Sequence, residues 1–151
     1  MEILIKHDSE TNPKYGCSPE KRPMKQLIEY GMININKVQG PTSHQVADYV
    51  KKILNVNKAG HSGTLDPNVT GVLPLACAKA TRVAGMLLKS PKEYIALMHI
   101  HKQVPEQEIR RIFEQFKGKI KQTPPRKSAV KRQERERTIH ELDIIEIQGQ
   151  E

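Results

Sequence analysis

Gly60-His61-Ser62-Gly63-Thr64-Leu65-Asp66-Pro67 lies between a helix-coded run and an apolar, strand-coded run, and it ends a series of small hydrogen-bonding residues with one carboxylate. Two glycines within four positions permit tight or left-handed backbone and leave room for a ligand. Pro67 fixes the backbone behind Asp66 and biases Asp66 toward extended geometry, so a held, outward-facing carboxylate is expected. The same residue types also compose ordinary surface turns, and composition alone leaves that reading open. The stretch is not a G-x-S-x-G elbow, since the last glycine would have to stand at Thr64, and the chain has no G-x-x-x-x-G-K-[ST] loop.

Upstream, Gly31 to Lys37 alternates with Ile33 and Ile35 on one face, which predicts a short strand. Thr42 and Gln45 form a capping-box pair ahead of Val46, Val50, Ile53 and Leu54, which predicts a helix to about Asn55 with the octapeptide following as a loop. Downstream, Gly71 to Ala80 reads as a buried strand despite Pro74, and Arg82 to Lys89 as a short helix stopped by Ser90-Pro91. Lys92 to His101 alternates like a strand, with Tyr94, Ala96, Met98 and Ile100 on one face. His99 and His101 share the other face, where the absence of a third ligand favours exposed histidines over a metal site. Pro105 opens a helix with an apolar face of Ile109, Ile112, Phe113 and Phe116, ending at Gly118. Thr138 to Gln148 is β-rich, and residues 1 to 21, broken by Asn12-Pro13 and Ser18-Pro19, read as an extension with little structure of its own. Strands and helices without regular βαβ repeats predict an α+β fold.

The 151 residues suffice for one domain with a real core. No apolar run approaches the roughly 18 to 20 residues of a membrane helix, and the N-terminus has no signal-type apolar segment, so a soluble, unsecreted protein is expected. Two Phe, four Tyr and no Trp leave few stacking platforms for single-stranded RNA. Cys17 and Cys77 have no partner spacing for zinc or a disulfide framework and are expected as plain thiols. The net charge of +8 is local: Arg110 to Arg137 holds eleven Lys and Arg against three Glu, and the rest balances fourteen bases with fourteen acids. Such a run is either a solvated face or a phosphate-binding strip.

An ordered set of matches links these pieces. Arg22-Pro23, Leu27-Ile28-Glu29-Tyr30-Gly31, Gly40-Pro41-Thr42-Ser43-His44, Lys58-Ala59 and the octapeptide are followed by Val69-Thr70-Gly71-Val72-Leu73-Pro74, Ala80-Thr81-Arg82-Val83, Lys92-Glu93-Tyr94, Pro124-Pro125 and Ser128-Ala129-Val130-Lys131-Arg132. Over this span the chain resembles the TruB and dyskerin family of RNA pseudouridine synthases, most closely the archaeal branch that works in H/ACA ribonucleoproteins. The resemblance implies a pseudouridine synthase fold, with a mixed sheet flanked by helices. It also implies a division into an N-terminal extension, residues 1–25, and the first part of the catalytic domain, residues 26–151.

The activity implied is isomerisation of uridine to pseudouridine in rRNA or tRNA, without cofactor or metal. The resemblance assigns Asp66 as the essential carboxylate, either nucleophile or initiator of ribose deprotonation, and Tyr94 as the tyrosine that stacks on the target base. His61 is similar to the histidine that fills the stack when the target nucleotide is extruded, and Gly63 and Thr64 let the loop approach RNA. Lys37, Arg82, Arg126, Lys127, Lys131 and Arg132 are the phosphate-contact candidates. Asn36 and Val38 depart from the family's usual residues beside the lysine, which bears on the local strand-to-loop geometry.

The partners implied are substrate RNA, an H/ACA guide RNA and the small H/ACA proteins, in the cytoplasm of a cell without a nucleus and away from any membrane. In the family the fold continues beyond the point matching Glu151, through strands that carry an arginine paired with the catalytic aspartate, and usually into a PUA domain. The fold is therefore expected to be incomplete at the C-terminus, and residues 1–151 alone to be inactive or nearly so until a complementary C-terminal chain is supplied. Two other readings are an RNA-binding or assembly piece that performs no chemistry, and a stand-alone tRNA pseudouridine synthase.

Overall fold

The computed structural model describes residues 6–7, 12–125 and 132–149. The chain divides into two compact units, Met1–Glu93 and Tyr94–Glu151.

In the first unit a 3-10 turn at Pro19–Lys21 precedes helix α1 (Met24–Glu29) and strand β1 (Met32–Lys37). Helix α2 (Ser43–Ile53) follows, then strands β2 (Ala59–His61) and β3 (Gly71–Cys77), a second 3-10 turn at Ala78–Arg82 and the single-turn helix α3 (Ala84–Leu87). The three strands form one antiparallel sheet in the order β1-β3-β2, with Ile35 opposite Leu73 and His61 opposite Leu75.

The α2 capping box is present as expected: the Gln45 amide donates to the Thr42 hydroxyl, and the Thr42 amide donates to Gln45 Oε1 at 2.8 Å. The helix buries Val46, Ala47 and Val50 against Leu73, Leu75 and Cys77, with Ile33, Ile35, Leu54 and Leu65 packed at the margin. Leu75 is wholly enclosed, so Leu75→Ala costs about 2–5 kcal/mol through lost transfer energy and a residual cavity. Ile53, expected in this stripe, is instead 79% exposed, and Ala47 takes its place at the interface.

Pro74 lies in the central strand, where a missing N–H normally breaks a ladder. Its carbonyl accepts from the Ser62 amide at 3.2 Å, just beyond the end of β2. Peptide groups alternate sides along a strand, so the missing donor faces the side where β2 has stopped, and the pairing with β1 runs on. The octapeptide, expected wholly as a loop, gives Gly60 and His61 to β2.

In the second unit Pro105 caps helix α4 (Glu106–Gln115), which buries Ile109, and strands β4 (Gly118–Gln122) and β5 (Arg135–Ile139) pair antiparallel. Ile112, Phe113 and Phe116 of the α4 end join Met98, Ile139 and Leu142 around an apolar cleft of about 380 Å³. The expected strand over Lys92–His101 does not form: no residue from 91 to 100 is in a strand, and Ile95 and Leu97 are 89% and 102% exposed. Alternation creates a face but not a ladder, which needs a partner for each peptide group. Of the β-rich stretch from Thr138 to Gln148, only Thr138 and Ile139 are in a strand.

Candidate functional site

Asp66 is exposed, while its neighbour Leu65 packs against the α2–β3 core. Burial of Leu65 beside an exposed Asp66 is consistent with the extended geometry that Pro67 favours. The Asp66 carboxylate has no hydrogen-bond or ion partner among the described residues, so its oxygens are open to a ligand.

The backbone beneath it is held from two directions. Ser43, fully buried at the first turn of α2, donates its hydroxyl to the Leu65 carbonyl at 3.0 Å and accepts from the Leu65 amide at 2.9 Å. Lys37, 1% exposed at the end of β1, donates its ammonium to the carbonyls of Val38 at 3.0 Å, Asp66 at 3.1 Å, Pro67 at 3.2 Å and Val69 at 2.8 Å. A buried ammonium is tolerated only when such bonds replace its hydration, and bonds to a charged donor are worth about 1.5–3 kcal/mol each. The Gly40 amide adds a bond to the Pro67 carbonyl at 2.9 Å, and Val69 closes the turn by donating to the Asp66 carbonyl at 3.0 Å. Gly40 holds φ +114°, a conformation that side chains rarely adopt. The carboxylate therefore stands free on a backbone held at the Leu65 amide and at the Leu65, Asp66, Pro67 and Val69 carbonyls.

Lys37 was expected among the phosphate contacts, and the structure corrects this: its charge is enclosed and spent on the Asp66 loop. The signal was in the alternation, because Lys37 has the same parity as Ile33 and Ile35 and falls on the core face of β1. Of the roles expected for the octapeptide glycines, left-handed backbone is not taken up, while the room expected for a ligand is present at Gly63. Neither Gly60 nor Gly63 takes a positive φ, and left-handed backbone occurs instead at Gly40 and Gly71 on either side. Among the described residues, no atom beyond Gly63 and its two chain neighbours lies within 4 Å of where a Cβ would be, so its contribution is open space.

His61 is half-buried at the end of β2 and meets His44 of α2 edge to face, with ring centroids 4.7 Å apart and planes at 90°. Its Nδ1 is enclosed and has no hydrogen-bond partner among the described residues. Thr64 is exposed, as is Arg82, which has no ion partner among the described residues. Ser43 and His44 escaped sequence reasoning as site residues, since nothing local marks a helix's first turn as the support of a loop some twenty residues away.

In the second unit Tyr94 is 70% exposed and Arg132 is exposed. Arg126, Lys127 and Lys131 lie outside the described residues. Part of the basic stretch is neutralised locally: Lys117 pairs with Glu114 at 2.8 Å, Lys119 with Glu136 at 3.2 Å and Lys121 with Glu134 at 3.5 Å, all at the surface. Cys17 is exposed and Cys77 buried, both as free thiols. Among the described residues no group of three or more His, Cys, Asp or Glu could hold a metal ion, and no helix is long and apolar enough to cross a membrane.

Residues 51–151 match the model of the TruB family pseudouridylate synthase N-terminal domain, and residues 1–47 match the DKCLD (NUC011) domain. The chain is 54% identical over 151 residues to the probable tRNA pseudouridine synthase B of Thermococcus onnurineus, covering 99% of this chain and 45% of that protein. To the protein of the same description from Methanocaldococcus jannaschii it is 51% identical over 150 residues, again covering 99% and 45%. It thus spans less than half the length of these relatives. Among solved structures it is similar to a chain of a Cbf5-Nop10-Gar1 complex, with a TM-score of 0.87 and 54% identity over 98% of this chain and 45% of that one. A chain of an H/ACA RNP bound to a substrate RNA containing 2'-deoxyuridine matches with a TM-score of 0.83 and 49% identity, over 98% and 44%.

Proposed function

The chain belongs to the TruB family of pseudouridylate synthases, and on that premise we propose that it supplies the carboxylate half of an enzyme that isomerises uridine to pseudouridine in RNA. The bond between the uracil nitrogen and the ribose carbon breaks, the uracil turns, and a ring carbon bonds to the same ribose carbon. One proton leaves that ring carbon and one is taken up by the freed nitrogen, so atoms and electrons balance without a redox partner or group donor.

The observation that carries this reading is the Asp66 loop: an exposed, unpartnered carboxylate on a backbone pinned by the Lys37 ammonium and the Ser43 hydroxyl. A group that must meet an extruded nucleotide gains rate from being held in position before the substrate arrives. Asp66 acts as nucleophile or starts ribose deprotonation, Tyr94 stacks on the base, and His61, Gly63 and Thr64 face the RNA. Arg82, Arg126, Lys127, Lys131 and Arg132 neutralise phosphates.

In this proposal residues 26–151 are the first part of the catalytic domain and residues 1–25 an extension. Turnover requires the arginine that the family resemblance places beyond residue 151, in the same chain or a second one. The protein works with a guide RNA and the small H/ACA proteins, partners favoured by its similarity to chains from Cbf5-Nop10-Gar1 and RNA-bound H/ACA structures, and its place of action in this proposal is the cytoplasm.

The test is uridine conversion by residues 1–151 alone and by the polypeptide extended to the relatives' length, each as wild type and Asp66→Asn, with and without guide RNA. Conversion by the extended wild type only, abolished in Asp66→Asn, is expected. Equal conversion by Asp66→Asn would overturn the assignment of the carboxylate. Equal silence of every form would favour an RNA-binding piece, and conversion of tRNA without guide RNA would favour the stand-alone synthase.

A further inference from the structure

His61 hangs from the last residue of β2, whose backbone is fixed by pairing with Leu75, and His44 from the second residue of α2, fixed by the capping box. With both backbones held, the positions of the two rings are decided by side-chain torsions. Their edge-to-face contact, 4.7 Å between centroids at 90°, is an arrangement in which the positive rim of one ring meets the negative face of the other. The inward position of His61 is not fully satisfied, however. Nδ1 is enclosed and unpartnered among the described residues, and in either tautomer an imidazole nitrogen is a donor or an acceptor that water would otherwise serve. Turning the ring outward relieves that atom and loses the contact with His44. The loop beside it is open at Gly63, where among the described residues no atom beyond its two chain neighbours lies within 4 Å of a Cβ position.

We infer that His44 is a positioning residue that seats His61 in an inward resting state, from which RNA binding at the Asp66 loop releases the ring. The release rests on the RNA reading above; the seat is a property of the free chain. A ligand that needs His61 outward must work against the seat, because the binding-competent state is only part of the free population. Removing the seat therefore strengthens binding, the opposite of what loss of a contact or of folding would do.

Two measurements test this. In the RNA-free chain with isotope-labelled histidine, three-bond couplings report the His61 side-chain torsion. A single rotamer is expected for wild type, averaged couplings for His44→Ala and a restored single rotamer for His44→Phe, with the Leu65 amide resonance unmoved as the control for folding. Averaging already present in wild type, or couplings unchanged in His44→Ala, overturns the seat.

The second measurement is the affinity of the polypeptide extended to the relatives' length, with its guide RNA, for a uridine-containing target strand. His44→Ala should bind about 2- to 10-fold more tightly than wild type, and His61→Ala should erase the difference. Unchanged or weaker binding by His44→Ala overturns the release while leaving the seat measured. If wild type does not bind the strand at all, the RNA reading fails together with the release, and the coupling data still decide the seat.

Discussion

Replacing Lys37 by methionine keeps the length of the side chain and removes its ammonium from the Asp66 loop. Of the four carbonyls that it serves, Asp66 keeps the Val69 amide and Pro67 keeps the Gly40 amide, so Val38 and Val69 lose their hydrogen bond. An unsatisfied backbone group costs about 1–3 kcal/mol when buried, and because Val38 and Val69 lie near solvent the two carbonyls fall in the lower part of the summed range, at about 2–4 kcal/mol. Relief of the ammonium's own desolvation keeps the figure from reaching the sum of four charge-assisted bonds. In a chain of this size the loss lowers the melting temperature by about 5–15 °C. Thermal unfolding followed by circular dichroism measures it, and hydrogen exchange at the Val69 and Gly40 amides locates it, both exchanging faster in the variant. Lys37→Arg should not rescue, since a site 1% exposed has no room for a guanidinium. A phosphate-contacting lysine would behave differently: stability unchanged, RNA affinity and its salt dependence reduced. Melting within about 0.5 kcal/mol of wild type, with both amides unmoved, would refute the claim that the ammonium organises the loop.

Three further outcomes follow from the same geometry. Ser43→Ala strips the Leu65 amide and carbonyl of their partner and should cost about 2–4 kcal/mol in chemical denaturation, with exchange at the Leu65 amide accelerated first. Gly71→Ala forces a side chain to φ +143° and should lose about 1–3 kcal/mol, whereas Gly63→Ala, with negative φ and open surroundings, should stay within about 0.5 kcal/mol of wild type, so that any RNA-binding defect it shows is one of access. The hydrogen bond from Lys52 at 2.7 Å holds the Asp48 carboxyl below its ordinary value. A depressed carboxylate contributes stability above its unfolded value and loses it as pH falls through the folded one. Asp48→Asn should therefore melt slightly below wild type at neutral pH and converge with it in an acid titration through that range.

Much of the first unit was legible because its signals are local. Thr42 and Gln45 are three residues apart and the β1 alternation spans six, so each can be read from a short window, as can α4 of the second unit from Pro105 ahead of a 3.6-residue apolar period. The missing strand over Lys92–His101 shows the limit of such windows: the period of two was present, and no residue from 91 to 100 is in a strand. The β4 strand went unread for the reverse reason, since Gly118-Lys-Ile-Lys-Gln carries one apolar residue and becomes a strand by pairing with β5. At the site, Asp66 and His61 were found through family resemblance and not through any generic motif.

The order of residues by itself determined the α2 cap, the face of β1, the extended bias before Pro67 and membership of a family that works on RNA. It could not determine what Lys37 does, because a lysine in sequence is a charge awaiting a partner. Four carbonyls, three of them about thirty residues away, became its partners when β1 and the Asp66 loop closed on each other. The support from Ser43 to Leu65 and the meeting of His44 with His61 were decided in the same way. Hydrogen bonds and ring contacts act over a few ångströms of space, and folding alone brings distant residues within that range.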